Sequence, residues 1–371
     1  MKTWNLKETD LFHLLKESNL EPGDGSPLGD LKPSARSAKL APVEDRSGLL
    51  EALARLTRPE VILGLVTFSS PEEPGFSWFY GSAKDGNYAF HEPAEDGRHE
   101  ISWPVDGFLL LRSLQAPLAM EKSTEKEDIS LVLDRSGFET LAAIADWLQE
   151  KNLVALLNRR MPQAETFEEI ELLECCDRSR NSQDLRWMVP RALLVSPISL
   201  RFSDDNLRQG LESLLAGDLL TRRNGLFALT PTLGLVCSRF AAASGVSALS
   251  TQRLQRRRQR ENEEWDLTHF AAIRIADRSL WLVEFSDISA DEFSVKITSV
   301  AQPDMYHHLK AGLGLPGNQG SPEPPAPARR EPTREHESVK EKEFRCPSCG
   351  SELRPDARFC AKCGYRLAKK L

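Results

Sequence analysis

The chain has 371 residues, 40% of them hydrophobic, and a formal net charge of −7; this length predicts two or three domains with enough apolar surface for a sizeable core. The charge is uneven, because residues 344–371 carry +5 and residues 1–343 carry −12, and an acidic surface repels nucleic acid and anionic membranes. The N-terminal segment has no apolar h-region, the longest apolar runs are too short for a bilayer, and seven cysteines suit a reducing compartment, which argues against a secreted or membrane protein and for a cytoplasmic one.

Residues 1–125 predict an N-terminal α+β unit. An amphipathic helix opens it, with Leu11 and Leu14 toward a core, and a second helix is predicted at about residues 46–56. Alternating segments follow from Val61 onward and predict strands, with "AKDG" as a hairpin turn.

Residues 126–250 predict a mostly helical middle, which contains a recognisable motif at residues 189–237. Ser203 is placed to cap a helix with the apolar stripe Leu207, Leu211 and Leu214, and Gly217 ends that helix. Two short strands then surround Asn224-Gly225, a type I′ hairpin signal. Helix, helix and two-stranded wing together resemble a winged-helix domain.

The resemblance implies that the helix before the wing could enter a DNA major groove, with Arg222 and Arg223 as candidate wing contacts. The outward positions of that helix, however, carry three acids and one arginine, a poor surface for a phosphate backbone. We therefore favour a structural or protein-contact role for this segment and keep DNA binding as the alternative. The outward positions are Asp204, Asp205, Arg208, Gln209, Glu212 and Ser213.

An arginine run follows the helical middle and is a candidate charged partner patch. The alternative is a solvent-exposed helix, in which Arg257–Glu261 and Arg260–Glu264 pair at i,i+4 and partly offset the charge. The arginines are Arg253, Arg256, Arg257, Arg258 and Arg260.

Residues 251–315 predict a second α+β unit that resembles the first in the order of its elements. The segments align as Ser77–Leu114 against Ala271–Leu313, each predicting a small antiparallel sheet followed by a helix. We interpret this order as a duplicated unit.

Residues 316–343 predict a disordered linker, because the stretch is dense in proline and mixed charge and has one large aliphatic residue, Val339. A cysteine-rich segment, residues 344–371, follows it. Its cysteines are spaced C-x2-C-x10-C-x2-C, and the four thiolates would fill a tetrahedral zinc site completely, as in structural zinc sites. This segment resembles the small bacterial zinc-ribbon domains, with one Zn²⁺ held by Cys346, Cys349, Cys360 and Cys363.

Together these patterns predict an α+β, multi-domain protein with small antiparallel sheets, a winged-helix-like middle and a tethered zinc ribbon. Common catalytic motifs and a small-molecule site are not apparent in the sequence, so we do not expect an enzyme. We expect a cytoplasmic, zinc-binding adaptor whose acidic body contacts partner proteins, without membrane contact. The alternative is a transcription-type regulator that binds nucleic acid through the winged-helix-like segment and the ribbon.

Overall fold

The computed structural model describes residues 1–31, 44–69, 74–82, 85–94, 96–120, 126–160, 166–182, 184–256, 263–275, 279–288 and 293–315. By its contacts the chain divides into two units, Met1–Gly317 and Asn318–Leu371. The predicted linker and zinc ribbon lie outside the described residues. The mixture of helices and antiparallel strands in the first unit confirms the α+β class.

The first part of the chain begins with a strand and two helices and ends with four strands and a helix. These elements are β1 (Lys2–Lys7), α1 (Glu8–Glu17), α2 (Arg46–Thr57), β2 (Val61–Ser69), β3 (Gly75–Gly81), β4 (Asn87–Pro93), β5 (Arg98–Asp106) and α3 (Gly107–Gln115).

The second part repeats this order around a longer helical insertion. Its elements are β6 (Ser130–Asp134), α4 (Arg135–Leu157), β7 (Thr166–Phe167), α5 (Glu169–Asn181), α6 (Met188–Val195), α7 (Asp204–Ala216), β8 (Leu220–Arg223), β9 (Leu226–Leu229), α8 (Pro231–Ala241), β10 (Ala243–Arg256), β11 (Glu263–Ile275), β12 (Leu280–Ser286), β13 (Ser294–Val300) and α9 (Gln302–Gly312).

Ten of the strands form one antiparallel sheet in the order β1-β5-β4-β3-β2-β10-β11-β12-β13-β6. The small sheets predicted for the two α+β units are therefore the two halves of one sheet. They join where β2 pairs with β10, from Gly245 opposite Ser69 to Arg253 opposite Val61. This pairing satisfies backbone groups that would otherwise form two open sheet edges. The division at 1–125, 126–250 and 251–315 stays a prediction.

The strand order is the same when it is followed outward from the centre in either direction, which supports the predicted duplication. In each half, four consecutive strands run outward and a fifth, from the start of the half, forms the edge. Helices α3 and α9 close the two halves and share one core cluster on one face of the sheet, which includes Leu110, Leu114, Met305 and Leu309.

The opposite face is covered by two separate groups of helices. Helices α1 and α2 bury residues such as Leu11 and Leu53 against the first half. Helices α4 to α8 form a larger core with the second half, around the fully buried Phe138 and Trp281. None of the described helices is both long and apolar enough to cross a membrane.

The helical middle contains the local signals that the sequence predicted. The Ser203 hydroxyl accepts a hydrogen bond from the Asn206 backbone N–H at the start of α7, and Asn224 and Gly225 have φ of 52° and 84° in the turn between β8 and β9. A third strand, β7, pairs with β9, which gives the sheet order β7-β9-β8. The helix and hairpin are thus present, while the relationship to winged-helix domains stays a prediction.

The described part of the arginine run lies on a strand and not on a helix. Its first part continues strand β10, whose register places Arg253 opposite Asp266 and Arg256 opposite Glu263 on β11. A strand forms there because residues 253–256 pair with β11, and such tertiary pairing overrides local helix propensity. Arg257, Arg258 and Arg260 lie outside the described residues.

Candidate functional site

The four predicted zinc ligands, Cys346, Cys349, Cys360 and Cys363, all lie outside the described part of the chain. Within the described part, no group of three or more histidine, cysteine, aspartate or glutamate side chains is arranged to hold a metal ion. The zinc prediction therefore rests on the chemistry of the donor set, because four cysteines in two C-x2-C pairs are typical of closed zinc sites.

The three remaining cysteines are buried free thiols. Burial raises the pKa of all three, that of Cys176 to about 12, and the nearby Glu150 carboxylate further raises the pKa of Cys175. The thiolate is the reactive form of cysteine. At neutral pH the vicinal pair Cys175–Cys176 and Cys237 are therefore protonated residues of the helical core.

On the β8–β9 hairpin, the Arg222 guanidinium carbon lies 5.1 Å from the centre of the Phe227 ring, and its Nη1 lies 3.9 Å from the Glu212 carboxylate. Arg223 is exposed at the end of β8. One of the two candidate wing contacts thus already has partners within the chain, and one of those partners is acidic.

The outward face of α7 is acidic, and its arginine is paired. Arg208 Nε donates to Glu169 at 2.8 Å, and Arg208 also contacts Asp205. The hydrogen bond to Glu169 raises the pKa of Arg208. Its charge is thus partly offset, as is that of Arg222, which weakens the electrostatic attraction of this face to a phosphate backbone.

Arg253 contributes to a helix cap at the end of α9, together with two other side chains. Tyr88 Oη donates to the Leu313 carbonyl at 2.5 Å, Thr251 Oγ1 to Gly312 at 2.8 Å, and Arg253 Nη2 to Ala311 at 3.3 Å. These carbonyls are in or next to the last helical turn, where the i+4 N–H partners of a helix run out; the Ala311 carbonyl also accepts from the Gly314 N–H at 2.9 Å. The structure thus gives Arg253 a structural role, separate from the rest of the run.

Two buried carboxylates in the helical middle were not identified from the sequence. Glu139 on α4 is fully buried and accepts from Arg135 Nε, from Asn206 Nδ2 and from the backbone N–H groups of Arg201 and Phe202, at 3.0–3.2 Å. These bonds hold the loop before α7 against α4. The sequence signal for this site was a charged residue within the buried stripe of a long helix, because a buried charge needs hydrogen-bonding partners.

The second carboxylate, Asp146, lies two helical turns further along the same face of α4. It accepts from the backbone N–H groups of Met188 and Val189 at the N-terminus of α6, where a helix dipole favours negative charge. Burial nevertheless raises the Asp146 pKa to about 6, and the nearby Arg191 opposes that rise. The contacts of both carboxylates position helices.

Residues 345–367 match the family model of the zinc-ribbon domain. The match contains the four predicted zinc ligands and confirms the resemblance seen in the sequence. It covers a small part of the chain. No curated protein matches the sequence.

Proposed function

We propose that the protein, which carries a zinc-ribbon domain after a large acidic body, is a cytoplasmic adaptor. The body, residues 1–315, contacts partner proteins, and the ribbon adds a second contact through its predicted linker. One structural Zn²⁺, held by Cys346, Cys349, Cys360 and Cys363, stabilises a ribbon that is too small to bury a core of its own.

The charge of the winged-helix-like segment is the observation that carries this proposal. Arg208 and Arg222 are paired with carboxylates of the same chain, and the N-terminal turn of α7 exposes Asp205 almost completely, at 96% of its side chain. A protein that reads DNA needs cationic groups free to neutralise phosphates. An acidic face suits a basic or polar protein partner better.

Two modules on one chain also explain why a ribbon would follow a predicted linker. A linker makes the second binding event intramolecular. Two weak contacts together therefore bind about 100-fold more tightly than either alone, or tighter still. The ribbon carries +5 and the rest of the chain −12. The two modules therefore suit partner surfaces of opposite charge.

One observation favours the alternative, a nucleic-acid-binding regulator. The ribbon is basic, and Arg223 is exposed on the predicted wing, so each carries positive charge that suits a phosphate. Such binding would rest on few charges in the body, so we expect it to be weak and non-specific at physiological salt.

The test is to purify the full chain from its own cells, with and without nuclease, and to measure its affinity for duplex DNA by fluorescence anisotropy. An adaptor retains its partner proteins after nuclease treatment and binds duplex DNA with a Kd no tighter than about 1 μM. Tight DNA binding that falls steeply with salt, and weakens when Arg222 and Arg223 are both replaced by alanine, would establish the regulator instead.

A further inference from the structure

Strand β6 is one of the two ends of the described ten-stranded sheet, and it pairs with β13 on one side. Its burial alternates along the strand. Leu131 and Leu133 are buried in the core that the sheet forms with α4 to α8, whereas Val132 between them is 69% exposed. Lys296, directly opposite Val132 on β13, is exposed as well, so this border of the described sheet is open on the face away from α4.

The hydrogen bonds to β13 show how the backbone of β6 is oriented. The Ser299 N–H donates to the Ile129 carbonyl at 3.3 Å, and in the register of the two strands these residues are directly opposite each other. In an antiparallel pair, residues that bond to the opposite strand alternate with residues that do not. Counted onward from Ile129, Leu131 and Leu133 therefore direct their N–H and C=O groups toward β13.

The intervening residues of β6 direct their backbone groups away from the sheet. Ser130 and Val132 are exposed and each present an outward N–H and C=O. Asp134 is the N-cap of α4, so its carbonyl accepts within the helix and only its N–H points outward. A row of outward backbone groups of this kind is a template for a further strand.

The two ends of the sheet differ in how they discourage such pairing. Strand β1, at the other end, carries exposed lysines at both of its termini, Lys2 and Lys7, and lysine is a residue that natural edge strands use against pairing. Strand β6 has the sequence SLVLD, without lysine, proline or glycine, and exposes a β-branched valine at its centre. Of the two ends, β6 is therefore the one suited to pairing.

The sequence of β6 is complementary to itself. In an antiparallel pair of two copies centred on Val132, each Val132 lies opposite its counterpart, and Leu131 lies opposite Leu133 of the second copy. Ser130 lies opposite Asp134 of the second copy, so no like charges face each other across the strands. This register places apolar residues opposite apolar ones and uses every outward N–H of the strand, which selects a second copy of the chain as the occupant.

We propose that β6 is a homodimerisation edge, at which the β6 strands of two copies pair antiparallel about Val132 and continue the sheet from one copy into the other. This inference goes beyond the proposed adaptor function and does not depend on it. The ladder would hold about four backbone hydrogen bonds, two between the Val132 residues and one from each Asp134 N–H to Ser130 of the other copy. So short a ladder predicts a modest affinity, with a Kd on the order of 10 μM.

Sedimentation equilibrium of the full chain from about 1 to 100 μM tests the inference around this Kd. Val132→Pro removes an outward N–H, which an edge strand tolerates losing, and should weaken dimerisation about 10-fold or more. Val132→Thr is the control, because it keeps both the N–H and the β-branched shape, and it should dimerise as the wild type does. Circular dichroism spectra that match the wild type would show that both variants are folded.

A cysteine cross-link tests the same register independently. Residues in a hydrogen-bonded antiparallel pair have Cα atoms about 5.5 Å apart, within the range of a disulfide. Val132→Cys should therefore form an interchain disulfide on mild oxidation. Val154→Cys is the matched control, because Val154 is also exposed, at 48%, but lies on α4, and its cross-linking should not exceed that of the wild type.

The inference is overturned if the wild type is monomeric throughout this concentration range, if a folded Val132→Pro dimerises as the wild type does, or if the two cysteine variants cross-link equally. Oligomers that grow beyond the dimer would also overturn it, because a two-fold interface closes at two copies. If the chain is monomeric and retains a protein that Val132→Pro loses, the edge belongs to that protein instead. The cross-link decides if Val132→Pro does not fold.

Discussion

His269 and His91 are two histidines that the fold holds in the neutral form. Burial lowers the pKa of each to about 4, and for His91 the charge of the neighbouring His99 adds to this effect. His91 Nε2 and His99 Nδ1 lie 2.9 Å apart and share a hydrogen bond between β4 and β5. Protonation of either buried ring therefore lowers the stability of the fold.

The first prediction concerns the pH dependence of stability through His269. Its pKa is near 6.5 in the unfolded chain and about 4 in the folded one. The unfolded chain therefore binds more protons between these values, and stability is lost as the pH falls through this window. His269→Gln, which can still donate to the Val195 carbonyl, the hydrogen-bond partner of His269, should reduce the loss of unfolding free energy between pH 7 and pH 5 by about 1–2 kcal/mol.

Urea unfolding at the two pH values measures this difference. The control is His307→Gln, which makes the same substitution at an exposed histidine of α9. An identical pH dependence in His269→Gln and the wild type would contradict the assignment of this titration to His269.

At the scale of elements, helix α4 organises the helical middle. Every residue from Ser136 to Leu148 is buried, and α5, α6, α7 and α8 all pack against α4. Its carboxylates Glu139 and Asp146 hold the loop before α7 and the start of α6. Close approach of α7 depends on Gly210, where a Cβ would lie 2.0 Å from Thr140 Oγ1 and 2.2 Å from the Ser136 carbonyl oxygen.

The second prediction is that Gly210→Ala lowers the unfolding free energy by about 3 kcal/mol. The contact with the Ser136 backbone cannot be relieved by a side-chain rotation, so α7 must move away from α4. Urea denaturation of the purified variant gives the value.

A matched control is Gly234→Ala in α8, another helical glycine. The nearest atom to its added Cβ would be 3.8 Å away, in ordinary contact. Alanine is the better helix former, so this variant should gain about 0.5–1 kcal/mol. Equal effects of the two substitutions would refute the close packing of α4 and α7.

At the scale of the molecule, one sheet joins the two halves of the body, and the zinc ribbon belongs to a separate unit. Strands β2 and β10 pair over nine residues each, so the halves have a continuous backbone ladder. The body should therefore unfold as a whole without any contribution from the ribbon.

The third prediction is that the purified chain contains about one equivalent of zinc and that Cys360→Ser removes it. The thermal unfolding of the body should stay unchanged, because the ribbon lies in a different unit. Metal analysis and calorimetry test both parts. Cys175→Ala, which alters a buried thiol of α5, should keep its zinc; full zinc content in Cys360→Ser would contradict the proposed ligands.

The sequence by itself determined those features that depend on neighbouring residues. The Ser203 cap, the Asn224-Gly225 turn and the apolar stripe of α7 follow from local hydrogen bonds, backbone preferences and helical periodicity. The zinc-ribbon domain was recognised from the cysteine spacing, because a metal site of this kind is built almost entirely within one short segment.

The tertiary structure decided the features that depend on residues far apart in the chain. The pairing of β2 with β10, the strand conformation of Arg253 and the donors that surround Glu139 each combine segments from different parts of the sequence. A strand pattern shows that an edge exists, but it does not show which distant edge will satisfy its hydrogen bonds.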